Sequence, residues 1–181
     1  MATTVSLRHG LALWISLAPA IAWAQIPETY QRVARQAGVP TNVLYAVALQ
    51  ESGISIRKRR LPWPWTLNVA GKGHYYATRI EACQALLSAR QHTNARRIDV
   101  GLMQLNLGYQ QRHYRQPCDL LDPTRNLTVA ASILRQHRRP GESWMPAIGR
   151  YHRPAGGLPA AQYRRSVSKH LNQLAAERMA P

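Results

Sequence analysis

A single, mainly α-helical domain carrying one small β-hairpin, at about residues 65–77, is the fold class that the sequence predicts. Three observations predict it. Apolar residues recur at helical spacing in several stretches, each bounded by capping or breaking residues. One stretch rich in Trp, Tyr, Pro and Gly breaks that period. The 181 residues, 45% apolar, suit one unit with a sizeable core. No internal repeat, low-complexity segment or long linker divides the chain.

Residues 1–24 read as a signal peptide. Arg8 and His9 precede an apolar stretch from Leu11 to Ile21, and Ala22-Trp-Ala24 is a small-x-small exit before Gln25. A membrane span needs roughly 20 apolar residues, more than this stretch supplies. The mature domain is therefore expected at 25–181, in the periplasm, with an uncleaved anchor as the alternative.

Pro27 opens the first helix, 27–37, with Tyr30, Val33, Ala34 and Ala37 on one face and Gly38 as its stop. Thr41 is expected to cap the second, striped by Val43, Leu44 and Val47, with Gly53 as a left-handed stop. Leu61-Pro-Trp-Pro-Trp65 excludes helix. Trp65-Thr-Leu-Asn-Val69 and His74-Tyr-Tyr76 then flank Ala70-Gly-Lys-Gly73, a hairpin with a glycine turn. Trp63 and Trp65 could stack on sugar rings or pack on the helices. Thr78-x-x-Glu81 is a capping box for a helix with Ile80, Cys83 and Leu87 inward. Asp122-Pro123 starts a helix striped by Leu127, Ala130, Ala131 and Leu134 and closed by Pro140-Gly141. Ser143 caps a short one with Trp144, Ala147, Ile148 and Tyr151 on one face. The last, from about Pro159, carries Tyr163, Val167, Leu171 and Leu174.

Charge restricts the partners. With 24 Lys and Arg against 8 acids, the net charge is +16, which favours an anionic partner: nucleic acid, an acidic membrane or a carboxylate-bearing polymer. The basic residues are dispersed, as in Arg57-Lys-Arg-Arg60, Arg96-Arg97, Arg138-Arg139 and Arg164-Arg165, so each pair alone reads as solvated surface. In an oxidising compartment Cys83 and Cys118 read as one disulfide, worth about 3–4 kcal/mol on chain-entropy grounds, with two buried thiols as the alternative. The seven His residues show no ligand spacing with these cysteines, so no metal site is expected.

Glu51 is the residue that points to chemistry. It is the sole carboxylate between Glu28 and Glu81, and it falls on the apolar face of the second helix, four after Val47 and seven after Leu44. Desolvation and the negative end of the helix dipole both favour its protonated form, as a general acid near neutral pH requires. A solvated glutamate at a fraying helix end is the competing reading. Two further segments give it company. Gly101-Leu-Met-Gln-Leu-Asn106 sets the amides Gln104 and Asn106 beside a flexible Met103 after a turn glycine, and Gly149-Arg-Tyr-His152 ends a helix with a phenol and an imidazole.

In the order Glu51-Ser52, Gly101-Leu-Met-Gln104 and Tyr151-His152, the chain resembles the lytic transglycosylases of the soluble-lytic (SLT) type, over roughly residues 27–172. The family implies a goose-lysozyme-like helical domain in the periplasm. It also implies cleavage of the β-1,4 bond between N-acetylmuramic acid and N-acetylglucosamine without water, leaving a 1,6-anhydro end. Carried over, Glu51 is the general acid and base, and Ser52, Met103, Gln104, Asn106, Tyr151 and His152 hold substrate. No cofactor is implied. Where the family usually has Ala-Tyr-Asn, this chain has Arg150-Tyr-His152, so the Asn role does not pass to His152 by resemblance alone. Trp63-Pro-Trp-Thr-Leu-Asn68 and Arg150-Tyr-His152 look like a branch that includes enzymes of conjugative elements. The partners implied are peptidoglycan strands and a cell-envelope secretion or conjugation machine, with no nucleic acid required.

Two alternatives stand beside this reading. Asp99 could position a water for hydrolysis of the same bond, although a local Asx hydrogen bond is its simpler role. The chain could also be an exported basic module that binds cell wall, membrane or DNA.

Overall fold

Helix α1 (Glu28–Ala37) starts behind Pro27 and ends where Gly38, at φ 66°, takes the left-handed conformation that a side chain would disfavour. The computed structural model describes residues 25–57 and 59–179. The signal-type segment 1–24 and Lys58 lie outside the described residues. Tyr30, Val33 and Ala34 bury the inner face of α1.

Helix α2 (Thr41–Ser52) departs from its sequence reading in three ways. Pro40 is its N-cap and no side chain caps it, so Thr41 lies inside the first turn. Every residue from Val43 to Leu49 is buried. It is a central helix, apolar all round, where the sequence stripe predicts an amphipathic one. Finally, Gly53 has φ −66° and ψ 127° and runs straight into a strand. Close approach, not a left-handed turn, requires glycine there. A Cβ at Gly53 would stand 2.3 Å from the Leu49 carbonyl oxygen and 2.6 Å from Nε of Arg60. Arg60 Nε donates to that same carbonyl at 3.2 Å, a cation at the negative end of the helix.

Strands β1 (Gly53–Ile56) and β2 (Arg59–Pro62) form an antiparallel hairpin that the sequence reading missed. The expected hairpin follows as β3 (Thr66–Val69) and β4 (Lys72–Tyr75). Ala70 and Gly71 both have positive φ, as a type I′ turn demands, and Asn68 Oδ1 accepts the Gly71 N–H at 2.9 Å. Two short strands, β5 (Ile98–Val100) and β6 (Leu105–Asn106), extend this hairpin into a four-stranded sheet of order β4-β3-β5-β6.

Helix α3 (Arg79–His92) has the expected capping box of Thr78 and Glu81. Its buried face, however, is Ala82 and Leu86. Ile80 and Leu87, expected inside, are 71% and 45% exposed. The disulfide between Cys83 and Cys118 is present, with Cα atoms 5.3 Å apart. It ties α3 to a 3₁₀ segment at Pro117–Leu121.

Helix α4 (Pro123–His137) is capped by Asp122, whose Oδ1 accepts the Arg125 N–H at 2.8 Å, and it buries Leu127, Ala130, Ala131 and Leu134 as expected. It ends at His137, ahead of Pro140, and the Arg150 guanidinium donates to the His137 carbonyl that the helix end leaves free. Helix α5 (Trp144–His152) begins after Ser143, which makes no side-chain cap bond, and α6 (Gly157–Met179) starts two residues before Pro159. The α2 helix packs on α1, α6 and β2, while α4 and α5 close the remaining sides of the bundle. Mainly helical with small antiparallel sheets, the architecture is that of a lysozyme-like domain. No helix among the described residues is long and apolar enough to cross a membrane.

Candidate active site

The end of α2, the β5–β6 turn and the end of α5 converge on one cleft of about 740 Å³. Glu51, Asp99, Gln104, Asn106, Tyr151 and His152 line it, joined by Asn68, Tyr109, His137 and Arg153. A second hollow of about 940 Å³ lies between the starts of α1 and α2 and the end of α6, and none of these residues reaches it.

Glu51 lies deep in the cleft. Burial pushes its carboxyl up to about 7; a hydrogen bond from Tyr163 opposes that rise and the nearby charge of Asp99 adds to it. The Tyr163 hydroxyl, on α6, donates to Oε1. Tyr163 and Tyr151 are themselves raised well above the usual phenol value by burial and by Glu51, so both stay protonated donors. A buried carboxyl raised to about 7, with one oxygen occupied by a phenol, is a group that can give up a proton and take it back.

The turn from Gly101 to Gln104 is built to carry Gln104 into the cleft. Gly101 has φ 81°, and a Cβ on it would stand 2.4 Å from Nδ2 of Asn126. Asn126, buried on α4, holds the turn from behind. Its Nδ2 donates to the carbonyls of Val100 and Leu120, both at 2.8 Å, and its Oδ1 accepts the Met103 N–H at 2.9 Å. Tyr151 donates to the Met103 carbonyl at 2.7 Å, and Ser52 Oγ donates to the Leu102 carbonyl at 2.8 Å. Gln104 Nε2 donates to the Gly101 and Thr66 carbonyls at 2.8 and 3.3 Å, and among the described residues no donor reaches its Oε1.

Two of the residues read from sequence as substrate contacts stand behind the cleft wall. Ser52 and Met103 are both fully buried and absent from the lining. Ser52 clasps the end of α2 to the turn, and Met103 packs in the core while its backbone bonds Asn126 and Tyr151. Asn106 lines the cleft with its side chain fully engaged: Nδ2 donates to Arg96 O and Asp99 Oδ1, and Oδ1 accepts from Gly108 and Tyr109.

Asp99 differs from its sequence reading. It makes no local Asx bond; it accepts from Asn106 at 2.8 Å, its partner across β5 and β6. Burial raises its carboxyl, while the Asn106 bond and His152 pull the other way. His152 lies with its ring parallel to that of Tyr163, centroids 4.5 Å apart. Burial lowers its imidazole, Arg153 lowers it further and Asp99 opposes both. Trp63 and Trp65 take the packing role. Trp63 Nε1 donates to the Tyr76 carbonyl at 2.7 Å, the two indoles meet edge to face, and neither lines the cleft.

Tyr163 and Asn126 are the site residues that sequence reasoning missed. Tyr163 is hidden in the apolar stripe of α6, where only its hydroxyl, a polar tip that needs a partner once buried, gave a signal. Asn126 sits one residue before the Leu127 stripe, and a buried amide on a core face needs hydrogen-bond partners. Among the described residues no group of three or more His, Cys, Asp or Glu could hold a metal ion.

The family model described as Transglycosylase SLT domain matches residues 28–173. No curated protein and no solved structure matches the chain.

Proposed function

The chain belongs to the Transglycosylase SLT domain family, whose members act on peptidoglycan, and from that premise we propose that Glu51 drives cleavage of the β-1,4 bond between N-acetylmuramic acid and N-acetylglucosamine without water. The single observation that supports this most is the environment of Glu51: a carboxyl raised to about 7 by burial, in a cleft, with Tyr163 on one oxygen. In the ground state Glu51 carries a proton. It passes that proton to the glycosidic oxygen as the bond to C1 breaks, and the N-acetylglucosamine end leaves with a free hydroxyl. The resulting carboxylate, steadied by Tyr163, then takes the proton of the muramyl 6-hydroxyl as that oxygen closes on C1. The proton balance is closed and the product has a 1,6-anhydro end. The substrate's acetamido group assists at C1.

Hydrolysis of the same bond is a second reading, favoured by one observation: Asp99 shares the cleft with Glu51. Asn106 donates to its Oδ1, which ties it to β6 and lowers its basicity, and that counts against it as the base for a water.

Export to the periplasm belongs to this proposal, and the Cys83–Cys118 disulfide supports it because such bonds persist in oxidising compartments. The +16 charge suits a wall polymer that carries peptide carboxylates. Zymography on purified cell wall tests the enzyme reading. Wild type clears the gel and Glu51→Gln does not; binding of both without clearing would make the chain a wall-binding module.

A further inference from the structure

His152 and Tyr163 come from different helices, yet their rings lie parallel within 3° at a centroid distance of 4.5 Å. The same Tyr163 donates its hydroxyl to Oε1 of Glu51. Among the described residues no donor reaches Oε2. We propose that His152 is a positioning residue: its ring, lying flat on Tyr163, keeps the phenol on Oε1 and so leaves Oε2 as the oxygen that carries the working proton toward the glycosidic bond. The proposal rests on Glu51 being the general acid.

Several observations converge on it. Tyr163 is 7% exposed, so packing restrains its larger motions, but a small rotation of the phenol off Glu51 would free both carboxyl oxygens and let the proton settle on either. The Glu51–Tyr163 bond by itself does not fix the plane of the Tyr163 ring; a parallel ring lying on it does. His152 is the last residue of α5, exposed to the cleft, so its role is not that of core filler. The groups facing it are Tyr163 from α6, Asp99 from β5, Glu51 from α2, and its neighbours Tyr151 and Arg153. Its imidazole is lowered by burial and by Arg153, so it is largely neutral at pH 7. A neutral ring of similar shape should therefore replace it without changing the charge around Glu51.

The Tyr163 bond favours the charged form of Glu51. Loosening it sends the Glu51 carboxyl higher, and the alkaline limb of the pH profile moves with it. The test is kcat, KM and the pH profile of kcat/KM on soluble peptidoglycan fragments for His152→Ala and His152→Phe, read beside melting curves. His152→Ala is expected to lower kcat about tenfold, a rise of about 1.4 kcal/mol in the barrier, with its alkaline limb displaced upward by about half a pH unit or more. His152→Phe, which keeps a ring on Tyr163, is expected to hold the limb at the wild-type position whatever it does to KM. His152→Gln, without a ring, gives the same readout as alanine and serves if the alanine variant fails to fold. A limb that stays in place in the ringless variants, or moves as far in His152→Phe as in them, overturns the proposal. Glu51→Gln in the same assay separates the two levels: if it retains activity, the acid assignment itself fails, whereas an inert Glu51→Gln with an unmoved limb in His152→Ala refutes the positioning role alone.

Discussion

Tyr163 donates its phenolic hydrogen to Oε1 of Glu51 across 112 residues of chain. The bond joins the last helix to the end of the central one, and it acts against the burial that raises the carboxyl. Burial favours the protonated carboxyl, whereas the Tyr163 bond favours the carboxylate.

Tyr163→Phe keeps the ring and removes that donor. A hydrogen bond to a charged group contributes about 1.5–3 kcal/mol, so kcat/KM should fall roughly 10- to 100-fold. Because the lost bond had lowered the Glu51 pKa, the alkaline limb, expected near pH 7 in wild type, should move to higher pH. A pH series of initial rates checks both; a limb that moves to lower pH would contradict the role given to Tyr163.

Glu51 also links stability to pH. Its folded pKa, about 7, lies above the ordinary 4.5, so the folded protein holds a proton that the unfolded chain releases across that window. Stability from this group is therefore greatest below pH 4.5 and declines as pH rises toward 7. Glu51→Gln cannot titrate and should be more stable than wild type above pH 7, by at most on the order of 3 kcal/mol. The difference should vanish near pH 4. Urea unfolding of both proteins at pH 4 and pH 8 measures it.

The helical frame was legible where a periodic apolar stripe meets a local boundary signal that holds, as at Gly38, the Thr78–Glu81 box and Asp122-Pro123; at α2 and α5 the helices were found although Thr41, Gly53 and Ser143 do not cap them as read. The β1–β2 hairpin was not, since its exposed Arg59 and Arg60 carry no alternating pattern. Strands β5 and β6 are too short to register as strands at all. In α3 the stripe misled: Ile80 and Leu87 are apolar at helical spacing, yet the face that packs inward is that of Ala82 and Leu86. At the cleft, Glu51 stood out because acids are rare in this chain. Tyr163 and Asn126 act through contacts with distant segments, which no local spacing reports.

The turn behind the cleft gives a third prediction. Gly101→Ala forces a side chain onto a residue at φ 81° and into Asn126, so the turn must shift. A destabilisation of about 2 kcal/mol or more is expected, together with loss of activity as Gln104 moves. Asn126→Leu should also destabilise, because it leaves the buried Met103 N–H without its acceptor and takes a donor from the Val100 and Leu120 carbonyls, at about 1–3 kcal/mol for a buried group left unpaired. Thermal melts with parallel rate measurements check both variants.

The disulfide is expected to serve stability and not chemistry. Neither cysteine lines the cleft. Replacing Cys83 and Cys118 together by Ser should remove about 3–4 kcal/mol, since the bond closes a long loop in the unfolded chain. The kcat of the folded fraction at low temperature should match wild type. A selective fall in kcat with an unchanged melting curve would contradict that division.

Mass analysis of the muropeptides released from purified cell wall by wild type, beside Glu51→Gln, tests the central claim most directly. The account predicts that wild type releases ends one water lighter than hydrolytic ends, and that Glu51→Gln releases none above background while still sedimenting with the wall. Ends carrying the full mass of a reducing sugar would show that water is the nucleophile, and comparable products from Glu51→Gln would remove Glu51 from the reaction.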